Sequence, residues 1–381
     1  MRILIINTDY PNFLHAFYGK RPSLRLASYD EQMQERNRCL FGQADFYSHG
    51  FRTHGCSAWE VHANNRFMQV AWARENAPHL VQPAQADPVS SSLRERLRRK
   101  LFGKRLHDGL LSVLAAQVAH YQPHVILNQD MYLVPGKFLK KVLPRTALVV
   151  GQIASPLPDP SRIAGYDLIL SSLPNLVARF REMGLRAELC RLAFDPRVLE
   201  MAPPNESRKG VVFVGSVSKD HGRRYQLLDY LSRHCPGLQI WGAGAQGLPS
   251  GHPICKCHYG EAWGLDMYRL LGQAAIAVNI HIDMAEGHAN NCRLYEATGM
   301  GALLLTDAQS DLGDIFLAEK EVAAFSSPEE CAAKIAFFFE NVGQRKASAK
   351  AGQARTLSQH TFAHRAAEMI GQFKHYGAGA G

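Results

Sequence analysis

The feature that most restricts this chain is a steady alternation of short β-rich runs with helical stretches. In the first half the strand candidates are Arg2–Asn7, Ser57–Ala63, His124–Gln129, Ala147–Ile153 and Asp167–Ser171, with helical segments between them that include 66–76, 93–120 and 174–183. In the second half the strands fall at Gly210–Gly215, Leu238–Gly242, Ala275–His281 and Ala302–Thr306, with helices near 221–234, 261–273, 290–299 and 328–341. Such alternation argues for an α/β fold built on parallel sheets. It breaks once, at MAPPNESRKG (201–210), a Pro-, Asn- and charge-rich stretch followed at once by a fresh apolar strand. That stretch reads as a linker between an N-terminal domain (1–203) and a C-terminal domain (204–358). A last helix near 361–373 can return to the N-terminal domain, and the Gly/Ala tail after it is expected to be disordered. Two such domains face each other across a cleft, because parallel sheets carry their ligand sites at the carboxyl ends of the strands.

Composition narrows the class. The 381 residues are 46% apolar and 20% charged, an ordinary globular balance. No run approaches the roughly 20 apolar residues of a membrane span. MRILIIN is too short an apolar stretch for a secretory signal, so a cytoplasmic protein is expected. Eight scattered cysteines do not form a disulfide framework. Cys255, Cys257 and His258 cluster without a second ligand pair at zinc-like spacing, and they read as alternate faces of a strand; no metal is expected. The net charge of +9 concentrates in SLRERLRRKLFGKRLHDGLL (92–111), with seven Lys/Arg against two acids and Leu93, Leu97 and Leu101 at helical spacing. Residues 93–111 are either a solvated helix with one core stripe, or a contact for an anionic membrane surface or a phosphate-bearing acceptor. Nucleic acid is not expected, since no interleaved aromatics or reader motif accompany the charge.

The richest segment runs from His258 to Asp307. It reads as a loop, an amphipathic helix, a buried strand, a polar loop, a second helix and another buried strand. Asn290 or Asn291 can cap the second helix, and Gly299 with Gly301 can end it. Arg293 and Glu296, three apart, share a face near its start. Free N–H groups, an Arg and a nearby carboxylate suit a nucleotide diphosphate: the cations and amides take phosphate charge while the carboxylate accepts from ribose hydroxyls. The competing reading is a surface ion pair.

Asn291, Arg293, Glu296, Ala297 and Gly301, followed by an apolar strand, fit the pattern Asn-x-Arg-x-x-Glu-Ala-x-x-x-Gly. In this the block resembles the C-terminal signature of group 1 glycosyltransferases of the two-Rossmann-domain (GT-B) architecture, closest to the spore-maturation-protein-like (CgeB-type) branch. The resemblance reaches back through KGVVFVGSVSKDHGRRYQLLDYL (209–231) and takes in the loop at Tyr259 and Gly260. It covers about 150 residues, the N-terminal half agreeing in general layout. It implies a donor ribose at Glu296 and a nucleobase near Tyr259 and Gly260. It places sugar contacts at an acidic residue eight positions before Glu296; that position holds His288, with Glu286 two residues away, so the paired-Glu motif is broken. Backbone groups of the loop from Gly287 to Asn291, Asn290 included, would still meet the sugar or phosphates.

Other candidates follow from position. Gly215 and Ser216 end a clean apolar strand, where glycine lets backbone approach a phosphate. Lys219, Arg223 and Arg224 then open a helix against the dipole preference, which hints at an anion, with Arg223 the first choice for the diphosphate. Gly242, Gly244 and Gly247 spell G-x-G-x-x-G, but LPSGHP follows where a helix should open, so a dinucleotide cofactor is not expected. In the N-terminal half, Asp9, Tyr10 and His15 follow the first strand, Asn128, Gln129 and Asp130 end another, and Gln152 and Ser155 end a third. Asp9, His15 and Asp130 are the candidate catalytic bases. Tyr10, Asn128, Gln129 and Gln152 are acceptor-side groups, as are Asn64, Asn65 and Gln69.

The function these residues imply is transfer of a sugar from a nucleotide diphosphate sugar, the co-substrate, to a glycan, lipid-linked or protein acceptor. Arg223, Arg293 and helix-start amides would stabilise the leaving phosphate without a metal or other cofactor. The resemblance implies a retaining enzyme; an inverting route would need one of the N-terminal bases. A nucleotide-sugar epimerase and a non-catalytic nucleotide-sugar-binding protein share the architecture and stand as alternatives.

Overall fold

The computed structural model describes residues 1–81, 109–144, 147–217 and 222–377. Most of the basic stretch 93–111, together with Lys219 and the end of the Gly/Ala tail, lies outside these residues.

The chain opens with β1 (Arg2–Asn7), α1 (Pro11–Lys20), α2 (Tyr29–Arg38), α3 (Phe46–Thr53), β2 (Ser57–His62) and α4 (Arg66–Asn76). A helix described over 109–121 (α5) follows. Then come β3 (Val125–Asn128), α6 (Gly136–Val142), β4 (Leu148–Gln152), α7 (Pro160–Ile163), β5 (Leu168–Ser171), α8 (Pro174–Glu182) and β6 (Ala187–Leu189). The six strands pair in the order β2-β1-β3-β4-β5-β6, all parallel. Ile3, Leu4, Ile5 and Ile6 are fully buried, as expected for a strand covered on both faces.

A short α9 (Val198–Met201) leads into the Pro-rich connection and the second unit. It contains β7 (Lys209–Val214), α10 (Gly222–His234), β8 (Leu238–Trp241), α11 (Pro253–Cys257), α12 (Leu265–Gln273), β9 (Ala274–Asn279), α13 (Cys292–Gly299), β10 (Leu303–Asp307) and β11 (Ala323–Phe325). These strands form a second parallel sheet in the order β11-β10-β9-β7-β8. Helices α14 (Pro328–Glu340), α15 (Val342–Gln359) and α16 (Phe362–His375) close the chain.

The chain passes between the units twice, side by side: Phe194 N–H donates to His360 O (2.9 Å) and Phe362 N–H to Phe194 O (3.1 Å). Helix α16 then packs on α3 so closely that a Cβ on Gly50 would lie 2.8 Å from Phe362 O. One apolar cluster runs from Ile3, Phe46 and Phe51 through Phe194 to Tyr268, Tyr295, Phe362 and Phe373, so the two units share a core.

One reading of the sequence changes, and one helix is added. Cys255 and Cys257 lie in α11, not on a strand; Pro253 starts the helix and the His252 side chain accepts from Ile254 N–H. Helix α15 shows no apolar stripe in the sequence because its buried face is made of Arg345 and the small or polar residues Ser348, Ala349, Gly352 and Thr356. A Cβ on Gly352 would stand 2.4 Å from Glu321 O, so close approach replaces an apolar stripe.

Candidate functional site

At the carboxyl end of the first sheet, the turns after four strands enclose a cavity of about 350 Å³. Asn7, Thr8 and Tyr10 come from the end of β1, Gln129 from β3, Gln152 to Ser155 from β4 and Ser172 from β5, while Arg36 and the loop Phe41–Gln43 cover one side. Gln129 Nε2 donates to Gln152 Oε1 (2.7 Å) and Gln43 Oε1 (2.5 Å), and Gln152 Nε2 donates to Tyr47 Oη (2.8 Å). This amide relay fixes the wall of the cavity.

Behind that wall lies a buried charged network. Arg36, 2% exposed, binds Asp9 Oδ1 through Nε (3.2 Å) and Nη2 (2.6 Å). His62 Nδ1 stands 3.3 Å from Asp9 Oδ2. Burial opposes ionisation of Asp9, but His62 and Arg36 hold its carboxyl well below the usual carboxylate range. Burial and then the Arg36 charge lower His62, against the opposing pull of the Asp9 carboxylate. Glu60 is 7% exposed, accepts from Asn7 Nδ2 (3.0 Å) and Ser48 N–H (3.1 Å), and is pushed up to about 8 by burial.

The second sheet presents two groups of residues at its own carboxyl end. Around β7 and β8, Ser216 Oγ accepts from Arg224 Nη1 (3.0 Å), and Tyr259 stacks on Trp241 with centroids 5.7 Å apart. Gly260 O accepts from Gly242 N–H (2.8 Å). The G-x-G-x-x-G glycines have a steric cause: a Cβ would stand 2.0 Å from Gly215 O at Gly242 and 1.9 Å from Val217 O at Gly244. The two strand-end loops are pressed together, and a single 3-10 turn follows.

Around β9 and β10, Asp307 Oδ1 accepts from His281 N–H (2.9 Å) and lies 2.6 Å from His281 Nδ1. Its Oδ2 accepts from Gln309 (2.6 Å) and Arg223 (3.4 Å). Asn291 caps α13 by accepting from Leu294 N–H, and its Nδ2 donates to Asn279 Oδ1 (2.7 Å). Arg293 and Glu296 pair at 2.7 Å, with side chains 13% and 11% exposed. Arg293 Nη1 meets Met267 Sδ at 3.0 Å, and its buried Nε has no partner among the described residues. Met267 belongs to the core shared between the two units, so this face of α13 is turned towards the junction.

The expected positions divide accordingly. Tyr10, Gln129, Gln152 and Ser155 line the first cavity. Asn128 is fully buried and held by Asp130 O, Val134 O and Tyr166 Oη, a structural role. Asn64 bonds the Asp9 backbone in both directions, Asn65 caps α4, and Gln69 donates to His62 O, so these three hold the scaffold. Asp130 receives Thr8 Oγ1 and the Tyr132 and Leu133 amides. His15 is exposed on α1 and outside the cavity lining. His288 and Ala289 N–H both meet Asp311, at 3.3 and 2.6 Å. Asn290 is buried beside the capping Asn291. Glu286, at φ 49°, turns to Arg179 of the first unit (2.5 Å). Arg36, Trp241, His281 and Asp307 enter the two strand-end regions without having been singled out. The His281–Asp307 pair had one visible signal, both residues closing apolar strands.

Residues 223–371 match a family model described as glycosyl transferase-like. No curated protein matches the chain. Among solved structures, sucrose-phosphate synthase from Thermosynechococcus elongatus superposes with a TM-score of 0.58 at 13% identity, covering 98% of each chain. Anabaena HepE in complex with UDP-glucose gives 0.59 at 12% identity, over 98% of this chain and 100% of the other. AviGT4, a glycosyltransferase involved in avilamycin A biosynthesis, gives 0.58 at 12%, over 100% and 99%. The fold is GT-B. In a GT-B frame the first cavity and the two groups around β7–β10 are the strand ends of the two parallel sheets, and the matched family segment contains α13 together with His281 and Asp307.

Proposed function

We propose that the chain is a glycosyltransferase of the spore-maturation-protein-like branch, binding a nucleotide diphosphate sugar in the second unit and an acceptor hydroxyl in the first. The observation that carries this reading is α13. Its capped N-terminus stands at the carboxyl end of the second sheet, with Arg293 and Glu296 behind it, inside the segment that matches a glycosyl transferase-like family. Helix-start amides and the Arg293 guanidinium offer donors to a diphosphate, and Glu296 offers an acceptor to ribose. Tyr259 on Trp241 gives a flat, exposed platform for a base.

In this reading Arg223, Arg293 and backbone amides stabilise the charge that grows on the leaving phosphate, with no metal required. The depressed, ion-paired Asp9 is a poor general base, which favours retention, with the leaving phosphate itself assisting deprotonation of the acceptor. The test is a thermal-shift screen of uridine, guanosine, thymidine and cytidine diphosphate sugars. The uridine class comes first, because the similar HepE was solved with UDP-glucose. One class should stabilise the protein, by about 2.7 kcal/mol at a hundredfold excess over Kd. Arg293→Ala should remove that shift. A chain stabilised by no activated sugar, or a variant that keeps the full shift, refutes the proposal.

A further inference from the structure

Asp307 closes β10 at the carboxyl end of the second sheet, and its side chain is 3% exposed. Oδ1 accepts from His281 N–H (2.9 Å) and faces His281 Nδ1 at 2.6 Å, while Oδ2 accepts from Gln309 Nε2 (2.6 Å). An ionised carboxylate only accepts, so His281 Nδ1 carries the proton in this contact. Gripped on both oxygens, the carboxylate is held in one orientation. Its further contact is Arg223 Nη2, 3.4 Å from Oδ2. Among the described residues, Arg223 is the one Lys or Arg that touches it.

The pair is lopsided, since the carboxylate is buried and the Arg223 side chain is 55% exposed. A contact to so exposed a guanidinium is screened by solvent and adds little to the fold. What it does fix is direction. A free arginine at a helix start samples many rotamers, and a rigid acceptor at one place selects among them. One N–H is spent on Asp307, and four of the five in a guanidinium remain for an anion. Arg224, one residue on, donates to Ser216 Oγ (3.0 Å) instead, so the helix alone does not set where these side chains go.

The sheet order gives that direction a meaning. Arg223 lies in α10, which follows β7, whereas Asp307 ends β10, and β9 runs between those two strands. Arg223 therefore reaches across the end of β9. At that same strand end Asn279 Oδ1 accepts from Nδ2 of Asn291, the cap of α13, and Asn279 Nδ2 donates to Oγ1 of Thr306 (2.9 Å), the neighbour of Asp307. The ends of β9 and β10 thus anchor both Arg223 and the start of α13, two groups that the transferase reading assigns to one diphosphate.

We infer that Asp307, itself held by His281 and Gln309, is a positioning residue that aims the Arg223 guanidinium at the sugar-bearing phosphate. The inference rests on the transferase reading above and adds a residue to its donor site.

Asp307→Asn isolates the contact. The backbone N–H of His281 keeps an oxygen at the Oδ1 position, so the new amide nitrogen falls at Oδ2. Gln309 can turn its own amide round to accept from it, whereas Arg223 has no acceptor to offer. Calorimetry on the full-length protein compares UDP with UMP, and the guanosine, thymidine and cytidine pairs beside them. Asp307→Asn should weaken the diphosphate about tenfold and leave the monophosphate within about twofold. Arg223→Ala, at an exposed side chain, should show the same split, and the double variant should bind no more weakly than Arg223→Ala alone. Gln309→Ala loosens Oδ2 without adding volume; it should give a smaller loss of the same kind and stands in if Asp307→Asn does not fold. Equal losses for mono- and diphosphate, additive losses in the double variant, or unchanged diphosphate affinity in these variants overturns the assignment while leaving donor binding intact. An unmodified protein that binds no nucleoside diphosphate refutes the transferase reading itself, and the positioning role with it.

Discussion

Glu60 gives the first unit a stability that depends on pH in a way a single substitution can isolate. Its carboxyl is buried between α3 and β1, meeting two donors, Asn7 Nδ2 and Ser48 N–H, and burial outweighs them, raising it from 4.5 to about 8. The folded chain therefore holds a proton that the unfolded chain releases near 4.5. This group's contribution is fully present below that value, fades as pH rises through about 8, and is absent above it. At about 1.36 kcal/mol per pKa unit the ceiling is about 5 kcal/mol, and local relaxation brings a realistic figure to about 2–5 kcal/mol. Glu60→Gln removes the titration. Its Oε1 can still accept from Ser48, and a flip of the Asn7 amide can turn Oδ1 towards the new Nε2. The two proteins should melt close together at pH 5, while at pH 9 the variant should melt higher, by about 4 °C or more for a domain of this size. Melting curves from pH 5 to 9 decide it. A difference between the two that does not change with pH refutes the argument.

Other perturbations follow from single contacts. Asp9→Asn leaves the Arg36 guanidinium buried without its counter-charge and should cost about 3–5 kcal/mol in urea denaturation. Gly242→Ala places a Cβ 2.0 Å from Gly215 O, whereas Gly247 has nothing within 4 Å. The first variant should lose about 1–3 kcal/mol and the second stay within about 0.5 kcal/mol, as read by thermal melting. Tyr259→Ala removes an exposed ring stacked on Trp241. It should lower nucleotide-sugar affinity by about 1–3 kcal/mol in calorimetry with little change in melting temperature.

The sheet strands were legible where they are buried on both faces. Runs such as ILIIN and GVVFVG carry β-branched residues without polar interruption, and the observed strands start and stop within a residue or so of them. The three-residue strands β6 and β11 carry too few residues for any period to show. Helices α1 to α3 were missed for a related reason. Their buried faces mix aromatics with Gln32, Arg36 and Ser48, so polarity no longer marks the outside. Helix caps fared better, because they are local: Asn291 and Leu294 are three residues apart and the bond between them needs nothing else from the fold.

The side chains of the candidate site divide along the same line. Glu60 and Asn7 are 53 residues apart, Arg36 and Asp9 are 27 apart, and His281 meets Asp307 across 26. Each is unremarkable in its own window, and each acquires its chemistry from a partner that the sheet order brings alongside. Strand ends could be read from sequence, so Tyr10, Gln129 and Gln152 were placed at the cavity. What could not be read is which polar atoms remain unsatisfied once all the pairings are made. Asn7 Oδ1, Arg36 Nη1 and Ser172 Oγ are three that keep no partner among the described residues. That property belongs to the assembled fold, because a donor counts as spare after every acceptor within reach has been assigned. Which polar atoms are left over is accordingly a property that needed three dimensions to state, while the architecture needed one.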